Sequence, residues 1–227
     1  MLGQRNAEVS EITALPELLA LLSLDGCTVT ADALHCQRAT ARTILDRGGD
    51  YVLALKGNQP TLLEDVRTLL DDPAVSPDDV AATTDGDHGR IEIREAEVVH
   101  DVAWLVEAHG WPGLAAVGKV TATREIDGRA TTTSRYYLLS KALSAAHFAG
   151  IVRTHWQIEN RLHWVLDTAM DEDQSRSRKD HAPENLARLR RFALNLLRAN
   201  ADRGSTRGKI KRAAWDDAFL LKILHTA

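Results

Sequence analysis

Helical and strand-like patterns alternate in the first third of this chain, and this alternation limits the possible folds more than any other feature. Leu and Ile recur at helical spacing in residues 12–24, and helical patterns return at residues 36–47 and from Pro60 to about residue 70. Two short apolar runs, Cys27–Thr30 and Tyr51–Leu55, lie between these helices and are typical of buried strands. This order predicts an α/β core with parallel strands.

The pattern changes in residues 71–79, an acidic connector that contains two prolines. The run Gly89–Val99 then alternates apolar and charged residues, as a half-exposed strand does. Two further strands are expected on either side of a hairpin turn at Asp127 and Gly128. We therefore interpret residues 85–140 as an antiparallel β-rich insertion. The expected strands are Gly89–Val99, Leu114–Glu125 and Ala130–Leu139.

Helical patterns dominate the C-terminal part of the chain. They predict helices at residues 144–170, 183–200 and about 214–225. The basic, glycine-containing segment Arg203–Lys209 is expected to be a flexible loop.

Length and composition exclude several classes of protein. A chain of 227 residues, 44% of them hydrophobic, is long enough for one sizeable core. It has no apolar run of the roughly 18 residues that span a membrane and no charged-then-apolar leader, so we expect a cytoplasmic protein without a membrane partner. Cys27 and Cys36 are too few for a disulfide framework or a zinc ribbon, and we expect reduced thiols.

Charge is distributed unevenly along the chain. Residues 1–150 carry 13 Lys/Arg and 22 Asp/Glu, a net charge of -9, whereas residues 151–227 carry 15 and 10, a net charge of +5. A basic C-terminal segment suits contact with nucleic-acid phosphates. A solvated helical face explains the same charge equally well.

The stretch His155–Trp164 places Glu159 inside an apolar, Trp-rich helical pattern. A carboxylate is costly to bury there unless it is paired or holds a metal ion, so Glu159 is a candidate site residue. His155, Glu159 and His163 recur every four residues and share one helix face. Zinc is a weak alternative, because this spacing differs from that of zinc proteases. The two histidines are otherwise expected to support the site, contact DNA or simply pack.

Asp32 stands where the first strand should emerge into a loop. Open α/β sheets bind ligands at that edge, so an acid there could face the acid of a later helix and share a divalent metal with it. An aspartate that caps a helix or forms a turn is the structural alternative.

Several polar residues are candidates for contact with DNA. Lys56, Asn58 and Gln59 follow the second strand and could reach a phosphate or a base, although a turn explains the same residues equally well. His88, Gly89, Arg90 and Arg94 could also reach DNA, but exposed strand charges are the simpler account. For the acids Asp171–Asp173, a solvated helix end is favoured over a metal site.

A set of short motifs, taken in order, resembles one family of proteins. The motifs are Glu11–Pro16, Thr30–Ala33, Tyr51–Gln59, His88–Glu92, His155–Trp164, Leu166-Asp167, Glu172-Asp173 and Pro183–Ala187 with Arg190–Asn195. They cover nearly the whole chain, and the chain resembles the ISAs-type, or H-repeat-associated, insertion-sequence transposases. The resemblance implies an RNase H-like core with a DDE triad, in which two Asp and one Glu hold Mg²⁺ (or Mn²⁺) for cleavage and strand transfer of DNA.

Carried over to this chain, the resemblance makes Asp32 the second aspartate and Glu159 the glutamate of the triad, both metal ligands. It implies a division into a first part of the core at 1–84, the insertion at 85–140, and a helical completion of the core with a basic C-terminal region at 141–227. The implied partners are transposon terminal repeats and target DNA, and a homodimer or a full-length transposase. The candidate DNA-binding residues are Lys56, Asn58, Gln59, Arg90, Arg153, His155, Asn160 and Arg161.

Two features depart from the family pattern. A wider transposase group carries the signature Tyr-x2-Arg-x3-Glu-x6-Lys. With Glu159 as its glutamate, this chain has Val152, His155 and Leu166 in place of the Tyr, Arg and Lys. The Asp-Gly-Lys motif that carries the family's first aspartate does not occur in these residues. We therefore expect an N-terminally truncated transposase with impaired catalysis, and the alternative is a non-catalytic DNA-binding remnant or an inhibitor of a full-length transposase.

Overall fold

The fold is a mixed sheet with helices on both faces, followed by a helical segment. The structure is a computed structural model that describes residues 11–87 and 90–225, without the side chains at positions 11, 87, 90, 159 and 160. Its strands are β1 (Thr28–Ala31), β2 (Asp50–Leu55), β3 (Asp79–Asp87), β4 (Arg90–Val99), β5 (Ala116–Ile126) and β6 (Arg129–Leu139). In the described part of the chain these six strands form one sheet in the order β1-β2-β6-β5-β4-β3. The predicted α/β class is confirmed.

Strand direction follows the sequence expectation only in part. β1 and β2 pair in parallel, with Ala31 opposite Leu53, and the other neighbouring strands pair antiparallel. The segment interpreted as an insertion is antiparallel, as expected, and it continues the same sheet because β6 pairs with β2. The boundaries proposed at residues 84 and 140 stay predictions.

The helices lie mostly where their periodicity placed them. They are α1 (Glu11–Leu19), a 3-10 helix (Ala33–His35), α2 (Arg38–Asp46), α3 (Pro60–Asp71), α4 (Ala103–His109), α5 (Ala145–Ile158), a π-helix (Glu159–His163), α6 (Trp164–Met170), α7 (Ala182–Ala199), α8 (Thr206–Ala213) and α9 (Asp217–Leu224). α1 ends earlier than predicted, because the backbone N–H of Leu22 bonds to the carbonyl of Leu19 in a tighter turn.

The strand β3 was not predicted, and its first residue, Asp79, was assigned to the acidic connector. Its sequence, DVAATTDGD, holds few of the branched and aromatic residues that favour strands. It is extended because nine of its residues pair in register with β4, from Asp79 opposite Val98 to Asp87 opposite Arg90. Tertiary pairing therefore outweighs local propensity in this strand.

Alternate side chains of β2 enter two separate cores. Tyr51 and Leu53 pack on one face of the sheet with residues of α2, α3 and α4. Val52 packs on the opposite face with α5, whose Phe148 is fully buried. The sheet is thus covered on both faces at β2, which accounts for the continuous apolar run of this strand.

A glycine in β5 provides the space for α5. A Cβ added at Gly118 would lie 2.7 Å from the ring of Phe148. That ring also meets Tyr137 of β6 edge-on, with 5.3 Å between the ring centroids. Close approach of the helix to the sheet therefore depends on the absence of a side chain at position 118.

The hairpin of β5 and β6 turns as predicted at Asp127 and Gly128. Both residues have positive φ, 51° and 73°, as a two-residue hairpin turn of the primed type requires. Side chains near this turn are largely exposed, and hydroxyl pairs such as Thr123 with Thr132, 3.1 Å apart, join the two strands.

The chain divides into two compact units, Met1–His155 and Trp156–Ala227. In the second unit, α7, α8 and α9 enclose a small apolar core that includes Leu197 and Phe219. The prediction of a flexible loop at Arg203–Lys209 is wrong for its last residues, because α8 begins at Thr206. Ser205 caps this helix by accepting the N–H of Gly208 at 3.1 Å.

Cys27 and Cys36 are both free thiols, the first exposed and the second buried. Within residues 11–87 and 90–225, none of the helices has the length and apolar character that crossing a membrane requires.

Candidate active site

Asp32 lies at the carboxyl end of β1, where the chain turns into the 3-10 helix that starts at Ala33. It occupies the N-cap position, but its side chain makes no capping hydrogen bond. The carboxylate is 71% exposed. Helix capping by the side chain, one of the two structural alternatives for this residue, therefore does not account for an aspartate here.

His155 faces Asp32 from the last turn of α5. Its Nε2 lies 3.4 Å from Oδ1 of Asp32, and its Nδ1 lies 3.0 Å from Oγ1 of Thr30 on β1. The imidazole is thus held between a strand residue and the carboxylate that follows this strand. His155, which the sequence predicted to support the site, to contact DNA or simply to pack, lies directly beside the candidate metal ligand.

The loop after Asp32 is fixed by the two amides that follow β2. Asn58 donates from Nδ2 to the carbonyl of Ala33 at 2.5 Å, and Gln59 donates from Nε2 to the carbonyl of Cys36 at 3.2 Å. These bonds tie the β2–α3 loop to the segment that begins at Asp32. They provide a structural reason for both amides, while direct contact with DNA stays a prediction.

Lys56, also at the end of β2, is exposed. Since β1 and β2 run parallel, Lys56 and Asp32 emerge at the same edge of the sheet. Arg90 begins β4, but its side chain and the residues His88 and Gly89 lie outside the described part of the structure.

A network of ion pairs joins α5 to the strands β3 and β4. Asp85 accepts from Arg153 of α5 at 2.7 Å and from Arg94 of β4 at 2.6 Å. These two hydrogen bonds lower the pKa of Asp85, and the bond to Asp85 raises the pKa of Arg153. Arg153, a candidate DNA-binding residue, is therefore engaged in holding α5 to the sheet.

The same network surrounds a buried carboxylate that the sequence analysis did not select. Glu92 is 3% exposed, and its Oε1 accepts from Arg94 at 2.9 Å and from Arg124 at 3.0 Å. The only sequence signal for this pairing was the opposite charge of Glu92 and Arg94 two positions apart on one strand face.

Glu159 is the first residue of the π-helix. Its side chain, like that of Asn160, lies outside the described part of the structure, so the assignment of Glu159 as a ligand stays a prediction. π-Helical turns within α-helices occur frequently at functional sites. This backbone irregularity follows directly on α5, four residues after His155.

The apolar, Trp-rich helical pattern around Glu159 is only partly buried. Ile158 is 47% exposed and Trp164 is 62% exposed, whereas Leu166 is fully buried. Helical periodicity identified the apolar positions correctly, but it could not show which of them are covered. Arg161, a candidate DNA-binding residue in the same turn, is exposed, and its carbonyl accepts a hydrogen bond from Arg198.

The acids beyond α6 form a helix end, in agreement with the favoured interpretation. Asp171 has the left-handed conformation that ends a helix, with φ of 50°. Glu172 forms an ion pair with Arg191 of α7 at 3.2 Å.

The described side chains meet only part of the needs of a metal site. The exposed carboxylate of Asp32 is a donor of the kind that Mg²⁺ prefers. Among the side chains that the structure describes, which exclude Glu159, no three His, Cys, Asp or Glu residues come together as a metal site. A complete set of ligands therefore needs carboxylates beyond Asp32.

Comparison with known proteins gives the family. The family model described as "Transposase DDE domain" matches residues 2–196. "H repeat-associated putative transposase YhhI" and "Putative protein YbfL", both of Escherichia coli K12, are each 36% identical over 95% of this chain and 59% of their own length. "Putative transposase YncI" of Escherichia coli O157:H7 is 36% identical over 99% of the chain and 60% of its own length.

The chain thus spans about 60% of the length of these relatives. The family model covers most of the chain, in agreement with the resemblance drawn from its ordered motifs. Together with the α/β architecture, these matches show that the chain belongs to the DDE transposase domain family, whose fold is RNase H-like.

Proposed function

We propose that this chain takes part in DNA transposition by metal-dependent cleavage and strand transfer at insertion-sequence ends. The observation that carries the proposal is the exposed carboxylate of Asp32 at the carboxyl end of β1, with His155 of α5 beside it. An acid at that sheet edge whose side chain makes no capping hydrogen bond is open to a ligand. Membership of the family supports DNA as the substrate.

Asp32 and Glu159 are the proposed metal ligands. Carboxylate oxygens suit Mg²⁺ or Mn²⁺, which keep their remaining positions for water and phosphate. When bound, such ions activate the attacking hydroxyl or water and stabilise the leaving oxygen of a phosphodiester. In this account His155 is a positioning residue, because it contacts both Thr30 and Asp32 and so limits the movement of the carboxylate.

The proposed nucleic-acid partners are transposon terminal repeats and target DNA, and the proposed protein partner is a second copy or a full-length transposase. Contacts with phosphates are assigned to the exposed cations Lys56 and Arg161 and, less directly, to Arg153, which also pairs with Asp85. Arg90 and Asn160 are proposed as further DNA contacts on the basis of the sequence alone. Asn58 and Gln59 support it by fixing the loop that begins at Asp32.

A second candidate function is DNA binding without catalysis, including inhibition of a full-length transposase. It is favoured by the charge of residues 151–227, which carry 15 Lys/Arg and 10 Asp/Glu, a net charge of +5. DNA binding by basic side chains does not require a metal ion.

A cleavage assay separates the two candidates. The purified chain is incubated with Mn²⁺ and a supercoiled plasmid that carries the DNA flanking its gene, and nicked and joined products are resolved on a gel. The catalytic proposal expects products that Asp32→Asn abolishes and that Asp46→Asn, at an exposed position on α2, leaves unchanged. Salt-dependent DNA binding without products supports the second candidate, and the absence of both contradicts the proposed function.

A further inference from the structure

A cleft between α3 and β6 lies on the sheet edge that carries Asp32. Its volume is about 440 Å³, the size of a small-ligand site. Leu55 and Leu63 contribute apolar lining, and Tyr136 forms part of the wall. Three cationic residues also line it: Lys56, Arg67 and Arg135.

The only acid among the lining residues described for this cleft is Asp71, and its oxygens are already engaged. The hydroxyl of Tyr136 donates to Oδ2 at 2.6 Å, and Lys119 approaches Oδ1 at 3.4 Å. Arg67 lies 3.8 Å from Oδ2. Lys56 and Arg67 against one shared carboxylate leave the cleft with an excess of positive charge.

Tyr136 stays a neutral donor under all ordinary conditions. Burial, together with its hydrogen bond to Asp71, raises the pKa of Tyr136 to about 12. The phenol therefore holds Asp71 in place without adding negative charge to the cleft, and its ring offers an aromatic surface of the kind on which a base stacks.

The position of the cleft relates it to the candidate active site. Ala31 of β1 pairs with Leu53 of β2. Counting on from this pair, Asp32 corresponds to Ala54, and Lys56 follows Ala54 by two residues. That offset is roughly 7 Å on a neighbouring strand. A DNA strand crossing this edge at Asp32 would therefore carry a phosphate to Lys56 within about two or three nucleotides, at about 3.4 Å per nucleotide.

We propose that the cleft lined by Lys56, Arg67 and Tyr136 binds the phosphodiester backbone of the DNA strand that leads to Asp32. This inference rests on the proposed function, since it assigns a binding subsite to the same DNA substrate. The cations neutralise backbone phosphates, and Tyr136 with Leu63 receives a base. The contact is independent of base sequence, because it depends on phosphate charge and on stacking.

The test measures DNA binding directly and needs no catalysis. Fluorescence anisotropy of a labelled DNA strand of about 30 nucleotides is followed at several salt concentrations, without divalent metal, for the full chain and two variants. The cleft variant carries Lys56→Ala and Arg67→Ala. The control carries Arg42→Ala and Arg47→Ala, which remove the same charge from exposed positions within α2 and at its C-terminal end, outside the cleft.

The cleft variant is expected to bind the DNA strand roughly tenfold more weakly than the unaltered chain does. The magnitude of its slope of log K against log salt concentration is expected to fall by about 1.4, since each lost phosphate contact with a single strand removes about 0.7. The control is expected to keep the slope of the unaltered chain. Equal weakening of both variants would overturn the inference and leave the proposed function standing. Failure of the unaltered chain to bind DNA at all would overturn both.

Discussion

At the scale of single residues, the structure separates side chains that maintain the fold from those available for chemistry. Asn58 and Gln59 are committed to backbone carbonyls, and Glu92 is committed to two arginines. Asp32 has no capping bond and is open to solvent. That difference, rather than residue type, is the reason for placing the chemistry at Asp32.

Lys209 provides a test of a purely structural cation. It is 9% exposed, and its Nζ donates to the carbonyls of Leu197 and Asn200 at the end of α7. Lys209→Met keeps the aliphatic stem and leaves two carbonyls without this donor, so we expect a loss of about 2–3 kcal/mol in the free energy of unfolding. Urea denaturation followed by tryptophan fluorescence measures this change. Lys211→Met, at an exposed position on α8, is the control and is expected to cost less than about 0.5 kcal/mol.

At the scale of secondary-structure elements, the position of α5 decides where His155 lies. Two independent contacts hold this helix: the ring of Phe148 over Gly118, and the ion pair of Arg153 with Asp85. One is apolar and one is ionic, so each can be weakened while the other is kept.

Gly118→Ala tests the apolar contact. The added methyl group would lie 2.7 Å from the Phe148 ring, so helix and sheet must separate, at a cost of roughly 1–3 kcal/mol in the free energy of unfolding. Gly150→Ala in α5 is the matched control, because its Cβ would meet no atom within 4 Å. That control is expected to stabilise the protein by about 0.5–1 kcal/mol, since alanine favours a helix over glycine. Thermal denaturation of both variants measures the two effects, and a loss of equal size in each would contradict this account of Gly118.

The ionic contact predicts a dependence on acid pH. The pKa of Asp85 is lowered in the folded chain, first by its bond to Arg153, so its contribution to stability is fully present above the unfolded value of about 3.9. This contribution is lost as the pH falls through the lowered folded pKa. We expect the urea midpoint of the unaltered chain to fall more steeply below about pH 4 than that of Asp85→Asn. Identical acid profiles for the two proteins would show that this carboxylate is not stabilised by its arginines.

Local sequence patterns predicted strands and turns well where the burial of side chains follows the spacing of apolar residues along the chain. The apolar run Tyr51–Leu55 became a strand covered on both faces, and the Asp127-Gly128 pair turned the hairpin as expected. β3 escaped prediction, because its extended form depends on pairing with β4 rather than on its own residues. α8 escaped because glycine and basic residues concealed a helix whose cap is Ser205.

At the scale of the whole molecule, the chain belongs to the DDE transposase domain family and spans about 60% of the length of its matched relatives. The ordered motifs predicted the family, and the matches to known proteins confirm it. The network of Asp85, Arg153 and Glu92 could not be predicted, because it joins residues of β3, β4 and α5 that are far apart in sequence. Its existence depends on the sheet order.

The assignment of Asp32 and Glu159 as ligands of one divalent ion is tested most directly by titrating the purified chain with Mn²⁺ in a calorimeter. The proposed site predicts saturable binding that Asp32→Asn and Glu159→Gln each weaken by at least about tenfold, or about 1.4 kcal/mol. Asp46→Asn and Glu107→Gln, at exposed positions on α2 and α4, are expected to bind as the unaltered chain does. Mn²⁺ binding that survives both Asp32→Asn and Glu159→Gln would contradict the account.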